Sequence, residues 1–149
     1  MACEIAVSGR VVLVLWGRPE LSDLPRVDGA VRGARAEAGP VIFIARVPAH
    51  AEAPDPQVRV AITGMLESFM AQCSSYHTVL EGSGFAAAAK RMVLATIFLM
   101  TRRREKSHVH SNCDALLSVA TAEERDELTV ALRALRERGL LDRGEPATL

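Results

Sequence analysis

Two histidines late in the chain have a spacing that could bind a metal or move protons. His108 and His110 are separated by one residue, so in a β-strand both imidazoles point to the same face of the sheet. His77, from the preceding predicted strand, and Cys113 could add ligands, because imidazole and thiolate are common ligands of zinc. Histidines on an edge strand, however, often only face solvent. We therefore predict no metal ligand and no catalytic residue among them.

A glycine turn, Gly82-Ser83-Gly84, is the second candidate, and its chemistry would be the binding of an anion. The segment that begins at Gly82 matches G-x-G-x-x-A between a predicted strand and a predicted helix, where backbone N–H groups can hold a phosphate. The following strand lacks the acidic residue that a ribose hydroxyl requires, and Ser83 lacks the flanking glycine of a nucleophile elbow. We favour a tight turn capped by Ser83, keep Gly82, Ser83 and Gly84 as a candidate anion site, and predict no cofactor.

The charges of the chain argue against a nucleic-acid partner. Its 149 residues include 18 lysines and arginines and 18 aspartates and glutamates, so the net charge is zero. A nucleic-acid-binding protein needs a positive surface, and the composition does not supply one. The one basic run, Arg102-Arg103-Arg104 with Lys106, follows a predicted helix, where cations interact favourably with the helix dipole. We interpret this run as a solvated helix end.

The segment from Tyr76 to His110 must position most of these residues, and its pattern is that of a parallel β-α-β unit. Residues 76–81 favour a strand, residues 85–100 are apolar almost all round, and residues 107–110 are again strand-like. A helix that crosses between two strands returns the chain in the same direction, so the two strands must be parallel. The segment therefore predicts an α/β fold.

The remaining chain supplies three more strands and four more helices. Residues 4–7 and 10–16 flank the turn Ser8-Gly9 as a β-hairpin, and residues 41–47 form a strand that is apolar enough for burial on both faces. Amphipathic segments predict helices that begin near Ser22, Asp55, Ser111 and Thr121 and end near Gly39, Cys73, Ala120 and Gly139. Thr121 and Glu124 form a capping box at the start of the last helix.

These elements predict an α/β fold with a mixed, mostly parallel five-stranded sheet, an N-terminal β-hairpin and four to five helices. We assign residues 1–120 to one α/β domain. Residues 121–149 are then a C-terminal helical extension that packs on the same domain.

The order of elements resembles the STAS domain family, the fold of bacterial anti-sigma-factor antagonists, over about residues 4–120. The resemblance rests on that order, on the opening hairpin from Glu4 to Leu15, and on the stretch Glu81-Gly82-Ser83-Gly84-Phe85 before the third helix. Regulatory members of the family carry a phosphoacceptor loop of the type Asp-Ser-Ser/Thr-Gly after the third strand, at the start of the second helix. In this chain that position is occupied by Ala53-Pro54-Asp55-Pro56, which has no hydroxyl group. The resemblance implies a non-enzymatic protein–protein interaction or regulatory module, and the missing hydroxyl argues against a phosphorylation switch at this loop.

Two surfaces are predicted to bind partners. One is the irregular stretch after the strand 41–47, since open α/β sheets bind ligands and partners at the carboxyl ends of their strands; its residues are His50, Glu52 and Asp55. The other is the outward side of the predicted helix 85–100, which is too apolar for open water and includes Leu94, Ile97 and Thr101. The last helix of the chain or a second copy could cover that side, and we expect a homodimer.

Composition further predicts a cytoplasmic protein without membrane insertion. The longest apolar run is shorter than the roughly 20 residues that a membrane span needs, and Lys90 and Arg91 interrupt it. The three widely spaced cysteines are typical of a reducing compartment. The alternative function is a small-molecule or nucleotide-binding enzyme that uses Gly82 to Gly84 as an anion cradle and His50, His77 or His108 for proton transfer.

Overall fold

The computed structural model describes residues 3–49, 51–52, 54–82, 106–110 and 112–139. Within these ranges the chain forms one five-stranded sheet in the order β1-β2-β3-β4-β5. The strands are β1 (Cys3–Ser8), β2 (Val11–Trp16), β3 (Val41–Val47), β4 (Cys73–Leu80) and β5 (Ser107–His110). The first two are antiparallel, and every later neighbour is parallel. The predicted fold, a mostly parallel α/β sheet with an N-terminal hairpin, is confirmed.

Four helices lie in the described ranges: α1 (Asp23–Ala38), α2 (Pro56–Ala71), α3 (Cys113–Val119) and α4 (Ala122–Glu137). Asn112 caps α3, because its side-chain oxygen accepts the N–H of Ala115 at 2.9 Å. Thr121 caps α4 in the same way, through the N–H of Glu124 at 3.2 Å. The predicted helix 85–100, with Leu94 and Ile97, and the residue Thr101 lie outside the described residues.

The helices cover the two faces of the sheet in separate layers. On one face, α1 and α2 pack against Val41, Phe43 and Ala45, and on the other, α3 and α4 pack against Ile42 and Ile44. Successive side chains of a strand point to opposite faces, so a central strand between two helix layers must be apolar throughout. The continuous apolar run of β3 follows from this arrangement.

Several strand boundaries differ from the sequence-based prediction, and two of the differences have a clear structural reason. The hairpin turn consists of Gly9 and Arg10, with Gly9 at φ 59°, because Ser8 still pairs with Val11. Cys73 begins β4 and does not end α2, since it pairs with Val41 ahead of a register shift. Backbone pairing along β3 extends β4 into a Cys-Ser-Ser segment that has little strand preference of its own.

Within the described ranges no helix is both long enough and apolar enough to span a membrane.

Candidate functional site

The candidate site is a row of polar side chains on the face of the sheet that α3 and α4 cover. Parallel pairing of β4 and β5 sets His77 opposite His108, and Val79 opposite His110. Because alternate residues share a face, Ser75, His77, His108 and His110 all point to the side of α3 and α4. The predicted juxtaposition of the two β5 histidines with His77 is therefore present.

Four of these groups form a continuous chain of hydrogen bonds, which we call the histidine relay: Glu124, Ser75, His77 and His110. The hydroxyl of Ser75 donates to Oε2 of Glu124 at 3.0 Å. Oγ of Ser75 lies 3.1 Å from Nε2 of His77, and Nδ1 of His77 lies 3.0 Å from Nε2 of His110. All three distances are ordinary for hydrogen bonds.

The donor inventory sets the direction of the histidine relay. A carboxylate only accepts hydrogen bonds, so Ser75 gives its single proton to Glu124 and must accept from Nε2–H of His77. A neutral imidazole protonated at Nε2 has an acceptor at Nδ1, so His110 must donate to it through its own Nε2–H. We assign both rings to the Nε2–H tautomer on this basis.

Burial holds the two rings of the relay in their neutral forms. His77 is 2% exposed and His110 is 7% exposed, whereas His108 is half-buried. Desolvation, with smaller contributions from His110 and His108, lowers the pKa of His77 to about 3. Desolvation and the nearby His108 also lower the pKa of His110. The centroids of the three rings lie 5.2, 5.3 and 6.2 Å apart, so a positive charge on one disfavours a charge on the next.

In the histidine relay, two of the ring nitrogens that could bind a metal bond each other instead. Nδ1 of His77 and Nε2 of His110 face each other in a direct hydrogen bond. Among the residues that the structure describes, no group of three or more histidine, cysteine or acidic side chains is arranged to hold a metal ion. The side chain of Cys113, the fourth candidate ligand, lies outside the described part.

Ser75 and Glu124 are the members of the site that the sequence did not indicate. Glu124 was predicted as half of a capping box, and its N–H does bond Thr121, but its carboxylate accepts from Ser75 on a strand 49 residues earlier. The one local signal was the position of Ser75, two residues before His77 and therefore on the same face of β4.

A second buried polar group, an ion pair, lies at the carboxyl edge of the sheet. Nη2 of Arg46, at the end of β3, lies 3.0 Å from Oε1 and 3.2 Å from Oε2 of Glu81, which follows β4. Their side chains are only 10% and 8% exposed. The pair neutralises two charges that burial would otherwise strongly disfavour.

Gly82, the first residue of the candidate anion site, follows this ion pair. It adopts φ +100°, and a Cβ at this position would lie 3.1 Å from Cβ of Ala49. Glycine is therefore required here for a left-handed turn that packs closely on the loop after β3. Ser83 and Gly84 lie outside the described residues, so anion binding stays a prediction.

The predicted partner loop is joined to its neighbour by exposed ion pairs. Arg18, after β2, lies 2.9 Å from Oδ1 of Asp55 and 3.6 Å from Oε2 of Glu52. Asp55 occupies the N-cap position of α2, but its side chain makes no capping hydrogen bond. His50 lies outside the described residues.

Lys106 has a different role from the one predicted for the basic run. Its Nζ donates to the carbonyl oxygens of Cys73 at 2.9 Å and of Met70 at 3.4 Å. Positive charge and donors at the C-terminal end of a helix satisfy carbonyls that have no partner within the helix. Lys106 is thus half-buried where the end of α2 meets the start of β4, while Arg102, Arg103 and Arg104 lie outside the described residues.

Comparison of the chain with protein-family models, with curated proteins and with solved structures finds no match. The STAS resemblance accordingly remains a prediction that rests on the order of the elements and on the opening hairpin.

The lowered histidine pKa values predict that acid destabilises the fold. Unfolded histidine titrates near pH 6.5, whereas His77 titrates near 3 in the folded state, so the unfolded chain binds more protons between these values. The free energy of unfolding should therefore fall as pH decreases, by about 2 kcal/mol from His77 alone between pH 7.5 and 5. Urea unfolding at the two pH values measures this difference.

His77→Gln should reduce that pH dependence, because glutamine does not titrate. His108→Gln is the matched control, since His108 lies on the same face but takes no part in the relay. A wild-type stability that is equal at pH 7.5 and 5 would contradict the assignment of buried neutral rings.

Proposed function

We propose that the chain is a non-enzymatic interaction or regulatory module of STAS-like architecture that contacts a protein partner through the carboxyl edge of its sheet. The observation that carries this proposal is the pair of contacts from Arg18 to Glu52 and Asp55. They join the loops that follow β2 and β3, while the side chains of Glu52 and Asp55 remain 67% and 59% exposed. The edge therefore offers charged groups that a partner can reach.

The buried polar groups also favour binding over catalysis. Arg46 and Glu81 bond each other, and the histidine relay runs from one protein group to the next. A general acid or base must reach a substrate proton within hydrogen-bond distance. In the relay the nitrogens of His77 are both taken by protein partners, so His77 is better suited to holding the fold together.

The alternative, a nucleotide-binding enzyme, has less support from the geometry. The guanidinium of Arg46 is paired with Glu81, directly before Gly82, so this buried ion pair adds no net positive charge that would attract a phosphate. The positive φ of Gly82 is accounted for by its packing on Ala49.

Reversing the charges of the loop should abolish partner binding. Glu52→Arg with Asp55→Arg repels Arg18 and removes the acidic groups, so recovery of a specific partner by affinity purification and mass spectrometry should fall at least about tenfold. The matched control is Glu37→Arg with Glu137→Arg, two exposed acids on helices. Recovery of the same partner at the wild-type level by the loop variant would contradict this surface.

We also propose that the chain is a homodimer that buries the outward side of the segment 85–100. Leu94→Glu with Ile97→Glu should then give a monomer in light scattering, because two carboxylates cannot be buried without partners. Val60→Glu, at an exposed valine of α2, is the control and should leave the mass unchanged. A dimer that survives both substitutions in the segment would exclude that face.

A further inference from the structure

Within the described ranges β1 and β5 are the two edge strands of the sheet, and they differ in the contacts that attach them. β1 has six residues, contains no histidine and pairs with β2 along its whole length. β5 has four residues, and two of them are histidines that face a third histidine on β4. A short edge strand has few backbone hydrogen bonds, so its attachment depends more heavily on its side chains.

The attachment of β5 includes the bond between His110 and His77. Nε2 of His110 donates to Nδ1 of His77 across the two strands, while His108 is the direct neighbour of His77 in the register. The bond needs one lone pair and one proton between the two nitrogens. If both rings are doubly protonated, two N–H groups face each other 3.0 Å apart and the bond is lost.

Among the side chains that the structure describes, few can compensate for added positive charge on His77 and His110. From α4, Glu124 reaches the rings of His77 and His110 only through Ser75, and in α3 the described side chains, residues 115–119, include no ionisable group. On β3, Arg46 is already paired with Glu81. His108 is itself a titratable neighbour, with its ring centroid 5.2 Å from that of His77.

We propose that β5 is an acid-labile edge strand, which separates from β4 when the histidines between the two strands take up protons. Separation lets His77 and His110 reach water and ionise freely. It also exposes the backbone N–H and C=O groups along the outer edge of β4, which can then pair with another strand. The sheet consequently has one edge that depends on pH and one, β1, that does not.

Residue-resolved hydrogen exchange of the intact chain tests whether β5 separates from β4 at acid pH. Protection factors are measured at pH 7.5 and 5 and corrected for the intrinsic pH dependence of amide exchange. Protection in β5 should fall at least about 30-fold at pH 5, which is the factor for an opening that takes up one proton with a pKa near 6.5. Protection in β1 and in the central strand β3 should fall much less.

His77→Gln with His110→Gln provides the second arm of the test. Glutamine keeps an amide that can donate and accept but does not titrate. The loss of protection specific to β5 at acid pH should shrink to that of β1 in this variant. A β5 whose wild-type protection does not change with pH, or falls only together with β1 and β3, would overturn the proposal, and neither outcome requires that the variant fold.

Discussion

The hydrogen bonds of Ser75 make a row of polar side chains compatible with a buried sheet face. A parallel sheet covered by helices on both faces has little water to satisfy polar groups, and an unpaired buried group costs about 1–3 kcal/mol. Ser75 accepts from His77 and donates to Glu124, so it connects the strand histidines to helix α4. Removing the hydroxyl would leave both neighbours without this partner.

The same contacts restrict how the rest of the chain can assemble. A slip of β5 by one residue would turn both its histidines to the other face and break the relay, so the relay selects one register. Helix α4 is placed by its leucines and by two polar contacts, Glu124 with Ser75 and Glu127 with Arg10. Arg10 also donates to the carbonyl oxygen of Pro40, which joins the helix to the amino edge of the sheet. The polar contacts therefore add direction to apolar packing that is itself non-directional.

The sequence predicted those elements well whose bounds depend on neighbouring residues. The bounds of β3 and β5 agree with prediction, because the residue preferences that define these strands lie in neighbouring residues. The start of β4 at Cys73 was missed, since it depends on pairing with β3. Glu124 was assigned only a capping role, because its partner Ser75 becomes a neighbour only in the folded chain. A single sequence does not indicate which residues distant in the chain come into contact.

The attachment of β5 and α4 to β4 depends on neutral, ordered imidazoles beneath α3 and α4, and the tautomers of His77 and His110 test this most directly. Long-range ¹H–¹⁵N correlation spectra at pH 7.5 distinguish the Nδ1–H, Nε2–H and charged forms of each ring. We expect the neutral Nε2–H form for both, as the direction set by Glu124 and Ser75 requires. A charged ring, or an Nδ1–H tautomer at His77, would contradict the chain of hydrogen bonds from Glu124 through Ser75 and His77 to His110.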